Sequence, residues 1–370
     1  MMSEPQRCCA DTRAYYERCM QCPRQCGAQR TVALNSRHPA TGFCGESDEV
    51  RIASACLHFG EEPLITASGG SGTIFFTGCT LHCAFCQNYQ ISQNGMGAAV
   101  SQEEFIDICF RLQEAGAENI NLVTGSHHIP NIAAYAHAAK NAGLAIPFCW
   151  NSSAYESVEM LELLKDVVSI WLPDLKTLSP ALAAKLFGAH DYPQIATRAI
   201  SWMIEHFPLK ISDSTTSKNA WTEHSTMKTQ QHITGSTISH EKIMQGVIVR
   251  HLFLPGRFEE TAATLEWLKQ HADNRAIVSL MSQYTPVPFA EYNAQRQHAL
   301  SAIENRLVNK TEDCDLRDLI NAYDFSYLFY QELSDDTDWL PDFARPQPFS
   351  NALAKPLWHW ATMQNCKRMI

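Results

Sequence analysis

Short runs of apolar, β-branched and aromatic residues recur along the chain at 73–77 (TIFFT), 119–124 (NINLVT), 145–150 (AIPFCW), 169–175 (SIWLPDL), 247–254 (VIVRHLFL) and 277–283 (IVSLMSQ). Each is too short for a core helix and several are bounded by turn residues, the pattern of a buried strand. Between them lie segments with helical apolar spacing: EEFIDICFRLQEAGA, NIAAYAHAAKNAG, SVEMLELLKDV, IATRAISWMIEHF and TAATLEWLKQHA. Strands alternating with helices predict a parallel sheet with right-handed crossovers. Six such units are too few to close an eight-strand barrel. The predicted fold is therefore α/β, a partial (β/α)6 TIM-like barrel open at its side.

Three stretches break this rhythm. Residues 1–68 carry closely spaced cysteines and read as a small Cys-rich, metal-binding amino-terminal unit. The barrel then spans 69–300, interrupted at about 208–240 by a polar run rich in Ser, Thr, Lys, Gln and His. That run reads as a surface insertion, either simply tolerated or acting as a lid against substrate. Residues 301–370 form a carboxy-terminal helix followed by an aromatic and proline-rich tail, DWLPDFARPQPFSNALAKPLWHW. The tail either wraps the barrel mouth or packs over an exposed sheet edge.

A chain of 370 residues, 45% of them hydrophobic, can bury one large core and a smaller accessory unit. The net charge of −10 and the lack of any long basic run argue against nucleic acid or an anionic membrane surface as partner. No apolar stretch is long enough to span a bilayer, and the start MMSEPQRCCADTRAYYERC lacks the apolar core of a signal peptide. The expected compartment is the cytoplasm, where 14 cysteines read as reduced thiols available to metal rather than as disulfides.

Cys79, Cys83 and Cys86, in GCTLHCAFCQNYQ, form C-x3-C-x2-C in the loop directly after the strand run at 73–77. Shuffling a chain with this cysteine content gives the spacing by chance in roughly 2% of cases, so it is informative by itself. A [4Fe–4S] cluster normally takes four thiolates. Three leave one iron open for chemistry. Cys19, Cys22, Cys26 and Cys44 form a second group, C-x2-C-x3-C-x17-C, with glycines after Cys26 and Cys44 to relieve the turns. Its spacing suits structural zinc, and thiolates equally suit an auxiliary iron–sulfur cluster.

GCTLHCAFCQN resembles the cluster loop of the radical S-adenosylmethionine (SAM) superfamily. More narrowly, the chain is similar to the pyruvate formate-lyase activating enzyme homologues, a glycyl-radical-activase-like branch. That likeness is carried by CMQCPRQCG at 19–27, GFCG at 42–45, GGSGTIFFTGCTLHCAFCQNYQISQ at 69–93, WLPDLKTL at 171–178, VIVRHLFLPG at 247–256 and DTDWLPDFARPQPFSN at 336–351. It implies a [4Fe–4S] cluster on Cys79, Cys83 and Cys86 and SAM chelated by the fourth iron. Reductive cleavage of SAM would then give a 5′-deoxyadenosyl radical that abstracts hydrogen.

The resemblance also implies an electron donor such as flavodoxin or ferredoxin, and a glycyl radical enzyme as one kind of partner. It places Phe85 near the adenine, Asp174 and Lys176 of the DLK motif near SAM, and His251 at the ribose. Thr124 and Gly125 take the place of a GGE motif whose glutamate is absent from TGSHH. Asn151, a polar residue at a strand end, completes the candidate set. His127 and His128 either face substrate or are structural. Arg250 falls on the opposite face of its strand from His251. Two further functions stay open: an iron–sulfur electron-transfer or binding protein without SAM chemistry, and a radical SAM enzyme acting on a small molecule.

Overall fold

The computed structural model describes residues 12–31, 42–212, 241–289, 293–331, 340–345 and 354–360. Among these, the strands are β1 (Arg51–His58), β2 (Ser71–Phe76), β3 (Ala98–Ala99), β4 (Ile120–Val123), β5 (Phe148–Ser152), β6 (Val168–Pro173), β7 (Lys210–Ile211), β8 (Ile243–Leu252), β9 (Ile277–Met281), β10 (Leu328–Gln331) and β11 (Ala354–His359). The main sheet runs β10-β9-β8-β6-β5-β4-β2-β1-β11. From β2 to β10 every neighbour is parallel, whereas β1 is antiparallel to both β2 and β11. The result is a partly open parallel sheet curved as a partial TIM-like barrel.

All six predicted strands are present, as β2, β4, β5, β6, β8 and β9. Sequence pattern missed the other five, β1, β3, β7, β10 and β11. The core of β1 is ASAC, whose small side chains give a weak apolar signal, yet most of the strand is buried. β10 is only four residues long and follows the helix Lys310–Tyr323, adding a seventh parallel strand. The sheet therefore extends into both flanking stretches that the sequence sets apart.

The crossover helices begin where local chemistry directs. Ser101 and Glu104 form a reciprocal capping box before Gln102–Glu114, and Asn309 and Glu312 do the same before Lys310–Tyr323. Their apolar faces meet the outer face of the sheet in one core containing Ile74, Leu122, Trp150, Trp171, Val249 and Val278. The inner face alternates with the outer one. Its lower layer holds Cys149, Ile170, Leu172, Ile248, Ile277 and Phe329, closed by Leu64 and Ile65 from the short helix Pro63–Thr66. Asn119 anchors that helix by donating to Ile65 O at 2.7 Å.

The tail pairs as β11 along the edge of β1 and so covers that edge. Phe343 is fully buried against Phe75, 5.3 Å between ring centroids. Residues 213–240, with the proposed lid, lie outside the described residues. No described helix is long and apolar enough to cross a membrane.

Candidate functional site

The cysteine loop leaves β2 at Gly78, whose φ of +86° is costly for any other residue. A Cβ there would also lie 2.5 Å from Glu46 Cγ and 3.0 Å from His127 Nε2. Cys83 is buried, and Cys79 and Cys86 are partly exposed. The three sulfurs lie within electrostatic reach of one another. Cys79 Sγ accepts the Leu81 N–H at 3.3 Å, and Cys86 accepts a backbone N–H from Asn88. Such donors suit thiolate ligands, which carry negative charge without water around them. The loop is anchored by Ala84 N–H to Leu186 O at 2.9 Å and by Gln93 Nε2 to Cys83 O at 3.0 Å.

Among the described residues, no three His, Cys, Asp or Glu side chains are arranged to hold a single metal ion. Cys79, Cys83 and Cys86 lie near one another in the loop after β2, and three thiolates are the donor set that an iron–sulfur cluster takes.

Toward the carboxyl ends of the strands, the inner face turns polar. Asp174 bonds Lys176 Nζ at 2.7 Å and accepts from Arg250 Nε at 2.9 Å. Arg250 continues to Glu61 at 3.1 Å and also donates to Asn151 Oδ1. Asn121 and Asn151 donate to the other oxygen of Glu61 at 3.1 and 3.3 Å. Burial works against the Asp174 charge, but Lys176 and Arg250 overcome it and hold the carboxyl below its ordinary value. Burial likewise opposes the Lys176 charge, which Asp174 and the nearby Cys83 favour. This ion-paired shell borders the cysteine loop through Lys176.

His251 stands apart from that shell. Its Nδ1 meets Leu175 O at 2.7 Å and its Nε2 meets Thr261 Oγ1 at 2.9 Å, on the helix-facing side of β8. Burial lowers its pKa to about 4, so it is neutral and already partnered on both nitrogens. The two side chains alternate along β8, and it is Arg250 that joins Asp174 and Asn151.

The end of β4 carries its own constraints. Thr124 has φ of +63°, a rare conformation for a β-branched residue. A Cβ at Gly125 would sit 2.6 Å from Ile132 Cδ1 and 2.9 Å from the Trp150 ring. Next to it, Ser126 donates to Glu156 Oε1 and the Ser152 and Trp150 side chains also face the carboxyl, while its buried Oε2 makes no full hydrogen bond among the described residues. Burial pushes the Glu156 carboxyl up to about 6. Such an orphaned acceptor fits a cationic ligand group.

His127 and His128 point to the amino-terminal unit: Tyr16 lies 6.0 Å from His128, and Arg30 donates to His127 O at 2.8 Å. Burial holds both neutral; His127 Nε2 meets Thr77 O at 2.7 Å, whereas neither ring nitrogen of His128 has a hydrogen-bond partner among the described residues. Phe85 lies edge-on to Phe187 and Tyr284, each 6.1 Å away. Glu61, Asn121, Glu156 and Arg250 were missed from sequence. The available signal was a polar residue inside an apolar strand run, as in NINLV and VIVRHLFL.

Residues 73–217 match the family model described as the radical SAM superfamily. An uncharacterized protein of Methanocaldococcus jannaschii is 26% identical over 291 residues, covering 76% of this chain and 68% of its own. Among solved structures, SuiB of Streptococcus suis aligns over 72% of this chain and 49% of its own, at 12% identity and a TM-score of 0.44. The chain thus spans about half of SuiB's length. A radical SAM methyltransferase from Sphaerobacter thermophilus aligns over 72% of this chain and 68% of its own, at 12% identity and a TM-score of 0.42. These structural likenesses are partial, and the family model matches 145 of the 370 residues.

Proposed function

We propose that this chain, whose residues 73–217 match the radical SAM superfamily model, is a radical SAM enzyme with its cluster on Cys79, Cys83 and Cys86 and its SAM site on the inner-face polar shell. The observation that carries this reading is the nearness of the two: Lys176, ion-paired to Asp174, lies within electrostatic reach of Cys83. When bound, a [4Fe–4S] cluster and SAM supply reductive cleavage to methionine and a 5′-deoxyadenosyl radical that abstracts hydrogen.

The chain's own residues bind and orient. Lys176 offers a cation for SAM's carboxylate, and Glu156 Oε2 offers an acceptor for its ammonium. Tyr192 fixes the Asp174–Lys176 turn, donating to Asp174 O at 2.7 Å and accepting the Lys176 N–H at 2.9 Å. Phe85 supplies an aromatic wall beside the loop. Phe343, latched to the loop by its N–H to Gln90 at 2.6 Å, keeps water from one side.

Anaerobic reconstitution, dithionite reduction and incubation with SAM test this reading. 5′-Deoxyadenosine is expected from the wild type and not from Cys83→Ala. A loaded cluster that never binds SAM would return the chain to the electron-carrier alternative. Among hydrogen donors, the reading favours a glycyl radical enzyme, with a flavodoxin or ferredoxin supplying electrons. The DLK run, in which Lys176 Nζ donates to Asp174 at 2.7 Å, supports that choice through the glycyl-radical-activase resemblance. A glycyl radical signal on such a partner supports it, and turnover with a small molecule alone refutes it.

A further inference from the structure

The cysteine loop takes contacts from distant parts of the chain. One set comes from the amino-terminal unit, where Cys22 lies within electrostatic reach of Cys44, Cys19 and Cys26. There Arg24 donates to Thr80 O at 2.9 Å, and Phe43 stacks on His82 with centroids 4.6 Å apart. A second set comes from the segment after β9, which the proposed chemistry leaves unused.

The chain leaving β9 returns to the loop at three points. Tyr284 lies edge-on to Phe85 at 6.1 Å, and its hydroxyl donates to Asn305 Oδ1 at 2.6 Å. Phe289 meets Tyr89 edge-on at 4.8 Å. The helix Ala294–Leu300 then starts at Asn293, whose side chain accepts the Arg296 N–H at 2.9 Å and fixes the first turn.

Arg296 is the third point. Its guanidinium lies over the Phe289 ring at 3.8 Å and 5.7 Å from the Tyr89 ring, and its Nη2 donates to Gln93 Oε1 at 2.7 Å. Arginine offers only donors, so it decides which end of the Gln93 amide is the oxygen. The amide nitrogen is left to donate to Cys83 O at 3.0 Å. Guanidinium, amide and ligand carbonyl thus form one hydrogen-bonded chain. Phe289, Tyr89 and Gln93 are neutral, so these partners leave the positive charge uncancelled. Burial works against that charge, whereas the nearby Cys86 favours it.

A cation held in this place bears on reduction. An iron–sulfur cluster gains one negative charge with each electron it accepts, and a fixed positive charge nearby favours the reduced state. Lys176, the cation near Cys83, is already paired with Asp174. We propose that Arg296 raises the reduction potential of the cluster on Cys79, Cys83 and Cys86, and so sets how strong a reductant the protein needs. The inference rests on the radical SAM reading for the identity of that cluster. The electron comes from the external donor of that reading, and no bond forms or breaks at Arg296.

The test uses the full chain, reconstituted anaerobically with iron and sulfide and titrated potentiometrically, with the reduced cluster followed by electron paramagnetic resonance. SAM added at the end of each titration identifies the relevant signal as the one it perturbs. Only loaded clusters give that signal, so a variant that loads poorly is still read on its loaded fraction. Arg296→Gln is expected to lower the equilibrium constant for reduction about threefold, and Arg296→Glu about tenfold, or about 59 mV for one electron. Arg296→Lys keeps the charge while losing the fork, and is expected to stay within about twofold of the wild type. A merely structural role would not order the variants by charge. Equal potentials in all four proteins, or a potential in Arg296→Lys as low as that in Arg296→Gln, would overturn the proposal. A wild type with no signal that SAM perturbs would instead sink the radical SAM reading, and this inference with it.

Discussion

Glu156 shows how much one buried carboxyl can record about its surroundings. Burial raises its pKa to about 6 from the ordinary 4.5, and the Ser126 hydroxyl only moderates the shift. The folded protein keeps a proton there that the unfolded chain releases at lower pH. This contribution to stability is complete below about 4.5 and is lost as pH rises through about 6, a total of about 2 kcal/mol. The wild type minus Glu156→Gln difference in unfolding free energy, followed by chemical denaturation from pH 4 to pH 7, is expected to trace that fall. A flat difference would mean that the carboxyl is not desolvated. Bound SAM should reverse the trend, because an ammonium beside Oε2 favours the ionised form.

At the scale of an element, β8 illustrates the two faces of a strand. Arg250 turns inward between Glu61 and Asp174, while His251 turns outward to Thr261. Removing a buried cation that holds two carboxylates costs about 3–5 kcal/mol, because the acids remain without their partner. Arg250→Met is expected to destabilise by that amount. Arg250→Lys keeps the charge but not the fork and is expected to weaken SAM binding at least about tenfold in equilibrium titration. His251→Gln, which can still hydrogen-bond on the outer side, is expected to leave SAM affinity within about twofold. The reverse ranking would restore His251 to the cofactor site.

Over the whole molecule, the two ends of the chain complete what the barrel leaves open. The amino-terminal unit backs the cysteine loop through Arg24 and Phe43, and the carboxy-terminal segment covers β1 and clasps Gln90 from the other side. Phe343 is the centre of that clasp, fully buried among Phe75, Ile91 and Val123. Phe343→Ala is expected to cost about 3–5 kcal/mol in denaturant unfolding and to speed loss of the reconstituted cluster in air. Unchanged stability would show that the segment does not seal this side.

Periodicity and spacing alone determined the alternating strands and helices, the open parallel sheet and both cysteine groups. These are local signals: the inner and outer faces of a strand alternate every residue, and cluster ligands in one loop have fixed spacing. Asp174 and Lys176 were legible for the same reason, two residues apart on one strand end. Only the tertiary structure decided which face of β8 looks inward, because alternation sorts Arg250 from His251 without saying which side meets Asp174. It alone joined Glu61 to Arg250, separated by 189 positions, and Ser126 to Glu156, separated by 30. It also drew β1, β10 and β11 into the sheet, since short or small-residue strands gain their stability from neighbours rather than from their own sequence.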